Sequence, residues 1–127
     1  MKVFLLSFIT LLASSCLKQK TEGVLVVNSS VFEQKMAEQD IQLVDVRTPE
    51  EFSEKHIANA LNANVLGEDF EQKVVVLDKN KPILVYCKSG VRSANAAAKL
   101  KAMGFTTIID LDGGITQWVA EGKPIEN

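Results

Sequence analysis

The chain is poor in the residues that staple or arm many small domains. Only two cysteines occur, Cys16 and Cys87, and their settings differ. One adjoins an apolar leader and the other follows a short β-rich run. That argues against a disulfide framework and against a thiolate metal site. With one histidine, His56, a zinc cluster is hard to build. No block of like charge stands out, and the formal net charge is only −2. That argues against nucleic acid as a partner. There is no internal repeat and no low-complexity tract. No apolar run is long enough to span a bilayer of roughly 30 Å as a helix. No motif requires a cofactor.

What is present begins with a leader. Met1-Lys2 supplies a positive charge, and Val3 to Ala13 is apolar except for Ser7 and Thr10. That is the length of a signal-peptide core. Ala13-Ser14-Ser15 then precede Cys16, small residues before a cysteine as in a bacterial lipobox. The usual leucine three positions before the cysteine is replaced by Ala13, with Leu12 one further back. The same stretch also suits ordinary signal peptidase, which would leave Cys16 free. The expected organisation is a signal peptide over 1–15, a lipid anchor and polar tether over 16–23, and one domain over 24–127. The expected location is the periplasm or cell envelope, with acylated Cys16 holding the membrane.

The remaining residues suffice for one compact domain. Val24–Val27 predicts a first strand. Ser29 and Ser30 are capping residues for a helix reaching about Gln39. A second strand is expected over Ile41–Val46. Thr48-Pro49-Glu50-Glu51 then reads as a helix start: a cap, a first-turn proline, and acids at the positive end of the dipole. Ala60–Val65 predicts a brief strand, and Glu68–Leu77 a helix made uncertain by Val74-Val75-Val76. Ile83–Tyr86 is fully apolar, as in a buried central strand. A loop over Cys87–Ser93, a helix over Ala94–Met103, a strand over Thr106–Leu111 and a helix over Ile115–Glu121 complete the pattern. Strands alternating with helices predict an α/β fold: a mainly parallel sheet of about five strands, helices on both faces. Ligands in such sheets sit at the carboxyl ends of strands, where Cys87 falls.

The chemistry concentrates in Cys87-Lys88-Ser89-Gly90-Val91-Arg92-Ser93. A cysteine just before a helix faces unpaired N–H groups and the positive end of the dipole. Lys88 and Arg92 add positive charge. All three effects favour thiolate over thiol. Gly90 lets the loop curl so that successive N–H groups form an anion cradle. A nucleophile inside an anion site needs no histidine as base. A buried, inert cysteine at a strand end is the competing reading, and the combined loop features count against it.

These pieces together resemble single-domain rhodanese-like sulfurtransferases. The matching stretches are Asp45-Val46-Arg47, Pro49-Glu50-Glu51-Phe52, His56-Ile57 with Ala60 and Asn62, and Val85-Tyr86-Cys87 with Gly90, Arg92 and Ser93. Gly104-Phe105 and Leu111-Asp112-Gly113-Gly114 with Trp118 follow in the family's order. Lys55 and Ala58-Asn59 depart from it, where glycine and Pro-Gly are common. The resemblance implies that Cys87 takes a sulfane sulfur from a small anionic donor such as thiosulfate. The resulting persulfide would pass it to a thiol, protein or cyanide acceptor. Substrate would be bound by Lys88, Ser89, Gly90, Val91 and Arg92, with Asp45, Arg47 and Ser93 in support. Related phosphatases and arsenate reductases have one more residue between cysteine and arginine, so the shorter loop here favours sulfur. A relay module that loads sulfur but releases it only to a specific protein is the other alternative.

Asp45 and Arg47 are expected to pair with each other or with the loop. His56 is expected to make a structural hydrogen bond, Trp118, Phe105 and Tyr86 to pack in the core, and Gly113-Gly114 to form a tight turn.

Overall fold

The computed structural model describes residues 21–127. The leader, Cys16 and most of the tether lie outside the described residues. Five strands form one parallel sheet in the order β1-β5-β4-β2-β3. They are β1 (Val24–Val27), β2 (Gln42–Asp45), β3 (Leu61–Asn62), β4 (Ile83–Tyr86) and β5 (Ile108–Leu111). The helices are α1 (Ser29–Met36), α2 (Pro49–Glu54), α3 (Phe70–Val74), α4 (Val91–Ala102) and α5 (Gly114–Ala120). Among the described residues no helix is long and apolar enough to cross a membrane.

The apolar run Ile83–Tyr86 becomes the central strand, every residue buried. Successive side chains point to opposite faces, so one strand feeds two cores. Ile83 and Val85 join Val44, Ile108, Phe70, Val74 and the α4 residues Ala96, Ala97 and Leu100. Leu84 and Tyr86 join Phe32 of α1, Ile109, Leu111, and Ile115 and Trp118 of α5. The predicted α/β fold, with helices on both faces, is therefore observed. The buried side of α4 is Ser93, Ala96, Ala97 and Leu100. That spacing is one helical face. Its small residues let the helix lie close over the sheet.

Several boundaries differ from expectation for local reasons. Asn28, not Ser29 or Ser30, caps α1: its Oδ1 accepts from the Val31 N–H at 2.9 Å. Ser29 instead turns inward and donates to Glu121. The Thr48 cap of α2 is a full capping box with Glu51, and Pro49 opens the helix as expected. The third helix stops at Val74, the first of three consecutive β-branched residues. The third strand is only Leu61–Asn62, an edge pairing with β2 alone.

Candidate functional site

Cys87 follows β4 directly, at the carboxyl edge of the sheet, and is 1% exposed. Being two residues beyond Val85, it points to the α4 side of the sheet. The chain then turns in only three residues. Gly90 takes φ +119°, and α4 begins at Val91. The expected loop over Cys87–Ser93 is thus corrected to Cys87–Gly90. Val91, Arg92 and Ser93 form the first helical turn. The reason is that Gly90 reverses the chain in a conformation that side chains resist. Its carbonyl then accepts the first helical bond from the Ala94 N–H at 3.2 Å.

The sulfur sits within this turn. The Gly90 N–H donates to Cys87 Sγ at 3.0 Å, and the Cys87 thiol donates to Ser93 Oγ at 3.4 Å. Ser93 Oγ also donates to the Gly90 carbonyl at 3.1 Å. The Gly90 N–H, at the positive end of a twelve-residue helix, is a donor aimed at the sulfur. Lys88, Ser89 and Val91 are exposed around it.

Arg92 lies in the first turn of α4. Its guanidinium makes a fork to Glu51 of α2, at 2.6 and 3.0 Å. The Arg92 pair, helped by Thr48, holds the Glu51 carboxyl down at about 2, against partial burial. Much of the Arg92 charge is therefore already matched, and Lys88 is the loop's unmatched cation among the described residues. Sequence reading missed Glu51 as the partner because the pair spans 41 positions.

Asp45 and Arg47 pair with each other rather than with the loop. Arg47 Nη2 lies 2.6 Å from Asp45 Oδ2, and both residues are buried. Arg47 Nη2 also donates to the Lys55 carbonyl at 2.7 Å. Asn62 Nδ2 donates to the Asp45 and Arg47 carbonyls at 3.1 and 2.9 Å. This clamp fixes the edge of β2 beside β4. Tyr86 is packed below Arg47, its hydroxyl accepting from the Ile57 N–H at 3.0 Å. Burial, with Asp45 nearby, pushes the Tyr86 phenol far above its ordinary value.

The remaining expectations resolve simply. His56 Nδ1 meets the Phe52 carbonyl at 2.9 Å, and its ring stacks on Phe52, so its role is structural. Trp118 and Phe105 are core residues. Gly113 and Gly114 do more than turn. Gly114 is the first residue of α5, and the Ile115 and Thr116 N–H groups donate to the Cys87 and Lys88 carbonyls at 2.9 and 3.1 Å. A Cβ on Gly114 would stand 2.5 Å from both carbonyl oxygens. The second glycine thus lets α5 buttress the backbone of the nucleophile. Beside this buttress opens a cleft of about 310 Å³, lined by Arg47, Glu51, Glu54, Lys55, Lys88, Ile115, Thr116 and Val119.

Comparisons with known proteins fit this geometry. Residues 29–121 match the family described as Rhodanese-like domain. A protein named Thiosulfate sulfurtransferase GlpE from Coxiella burnetii is 39% identical over 82 residues, 64% of this chain and 74% of that one. A protein named Sulfurtransferase from Allochromatium vinosum is 33% identical over 100 residues, covering 78% of this chain and 92% of that one. Among solved structures, a rhodanese-related protein from Thermoplasma volcanium superposes with a TM-score of 0.70 at 30% identity. The match covers 80% of this chain and 97% of that one.

Proposed function

Because this chain belongs to the rhodanese-like domain family, we propose that it is a sulfurtransferase working through a persulfide on Cys87. The observation that carries the reading is the placement of Cys87 Sγ: at the carboxyl end of the central strand, in the mouth of α4, taking the Gly90 N–H at 3.0 Å. Relatives named as thiosulfate sulfurtransferases support it.

The chemistry needs no metal and no external base. The Cys87 thiolate attacks the outer sulfur of an anionic donor such as thiosulfate. The donor's S–S bond breaks, and its electron pair leaves with the oxyanion, here sulfite. The new persulfide keeps its negative charge on the outer sulfur, close to where the donor's charge had been. The loop N–H groups from Lys88 to Arg92 receive that charge, as a preorganised cradle does for any developing anion. Lys88, exposed and unmatched, steers the anionic donor. An acceptor thiolate or cyanide then attacks the outer sulfur and returns Cys87 as thiolate. Four residues separate Cys87 from Arg92, which makes a turn tight around one sulfur rather than wide around a phosphate.

The test is direct. The purified chain treated with thiosulfate should gain the mass of one sulfur atom on the Cys87 peptide, and cyanide should discharge it as thiocyanate. Cys87→Ser should abolish both. A folded protein whose Cys87 never gains sulfur from thiosulfate or a persulfide donor would overturn the proposal. So would aryl phosphate hydrolysis dependent on Cys87 in a protein that takes up no sulfur.

The location of the enzyme is proposed from the leader alone. Residues 1–15 act as a signal peptide, and Cys16 is acylated to hold the domain at a membrane of the cell envelope. Intact mass of the membrane-extracted protein should show acyl chains on Cys16, and Cys16→Ser should release the protein into the soluble fraction. An unmodified Cys16 in a soluble exported protein would overturn the anchor.

A further inference from the structure

One buried group plays no part in the reaction described above. Asp110 lies on β5, paired in register with Val85 of β4. It is 3% exposed, and its Oδ1 is the one buried side-chain polar atom without a hydrogen-bond partner among the described residues. An ionised carboxylate in such a place is costly. Ile108, two residues earlier, packs in the α4 core with Val85 and Cys87, so Asp110 faces the same side as the nucleophile. Helix α4 packs on that side, and the buried residue of its first turn is Ser93. Ser93 therefore stands between two acids, the Asp110 carboxyl and the Cys87 thiol.

We propose that Asp110 is a positioning residue for Cys87, coupled to it through Ser93 so that the buried pocket holds one negative charge rather than two. Ser93 Oγ donates to the Gly90 carbonyl and accepts from the Cys87 thiol, and it lies close enough to Asp110 to act on its carboxyl, so its one proton can be redirected among the three. With Asp110 neutral, its own O–H donates to Ser93 Oγ, and the Ser93 proton turns to the sulfur. With Asp110 ionised, the carboxylate draws the Ser93 proton away and repels the thiolate. The anionic thiolate or persulfide is thus matched to a neutral Asp110.

The surrounding charges do not cancel this coupling. The Arg92 charge acts on Cys87 too but is engaged first by Glu51, and Lys88 is exposed to solvent. Asp112, also exposed, adds negative potential. The neighbouring positions on β1 and β4, Val26 and Val85, carry no charge. Burial raises the Asp110 carboxyl to about 6, with the Ser93 hydrogen bond opposing and Asp112 reinforcing the rise.

This inference rests on the reading of Cys87 as a reactive thiol, and its test does not depend on sulfur transfer. The rate of Cys87 alkylation by iodoacetamide is followed from pH 5 to 9 on the Cys87 peptide. Asp110→Asn should move the profile to lower pH and raise the rate at pH 7 by up to about tenfold, the size of a coupling near one pH unit. Asp110→Ser, which removes the carboxyl by truncation, should do the same. Asp112→Asn, which deletes an exposed charge nearby, should change the rate less than about twofold, as expected for a solvent-screened site. Profiles of folded Asp110→Asn and Asp110→Ser that superimpose on the parent would overturn the proposal. A displacement by Asp112→Asn as large as theirs would also overturn it. Failure of Cys87 to load sulfur would instead strike the sulfurtransferase reading and leave these profiles as they are.

Discussion

Asp110→Asn should stabilise the protein at neutral pH and lose that advantage in acid. The folded carboxyl titrates at about 6, against an ordinary 3.8, because it is buried. A carboxyl raised on folding binds its proton more tightly in the folded state. Stability is then highest below the ordinary value and falls as pH rises through 3.8 to about 6. Above that window the cost is constant, at about 3 kcal/mol, each tenfold step in proton affinity being worth about 1.4 kcal/mol. At pH 4.5 the same linkage leaves a cost of about 1 kcal/mol. Asparagine has no such titration. The stability difference between variant and parent should therefore grow by about 2 kcal/mol from pH 4.5 to 7.5. Urea unfolding at the two pH values measures it. Other carboxylates titrate alike in both proteins, and any fixed packing cost of the amide cancels between the two pH values. A difference that stays constant with pH, or shrinks, would refute the claim that a buried, unmatched carboxyl lies behind the active loop.

Other consequences follow from the same structure. Gly114→Ala places a Cβ 2.5 Å from the Cys87 and Lys88 carbonyls, at φ +57°. It should cost on the order of 3 kcal/mol in thermal or urea unfolding, from strain and overpacking together, and slow Cys87 sulfur loading. Gly90→Ala meets no atom within 4 Å, at φ +119°, so it should cost only about 1–2 kcal/mol, the backbone penalty alone. Equal losses in the two variants would contradict the close approach of α5. Glu51→Gln breaks the fork to Arg92 and should cost about 1 kcal/mol at pH 7, a value kept small by solvent screening of a part-exposed pair. The Glu51 carboxyl is held at about 2, below its ordinary 4.5, so its contribution is present above 4.5 and disappears as pH falls toward 2. Urea midpoints of parent and variant should therefore converge in acid.

Much of this molecule could be read along the chain, because much of it is local. Ile83–Tyr86 is apolar throughout and rich in β-formers, the composition of a strand covered on both faces. Thr48-Pro49-Glu50-Glu51 contains its own helix start, and Cys87, Gly90 and the α4 N-terminus are neighbours in sequence. What the chain could not announce are contacts between distant segments. Arg92 reads as a free cation until α2 brings Glu51 against it. Gly114 reads as a turn residue until α5 closes on the Cys87 and Lys88 carbonyls. Asp110 is one acid among sixteen acidic residues until β5 pairs with β4 and α4 covers it. Sequence alone determined that Cys87 would be a thiol at a helix mouth, since backbone dipoles and loop length are properties of adjacent residues. Only the tertiary structure decided which charges surround that thiol, because burial and pairing depend on which elements the sheet order makes neighbours.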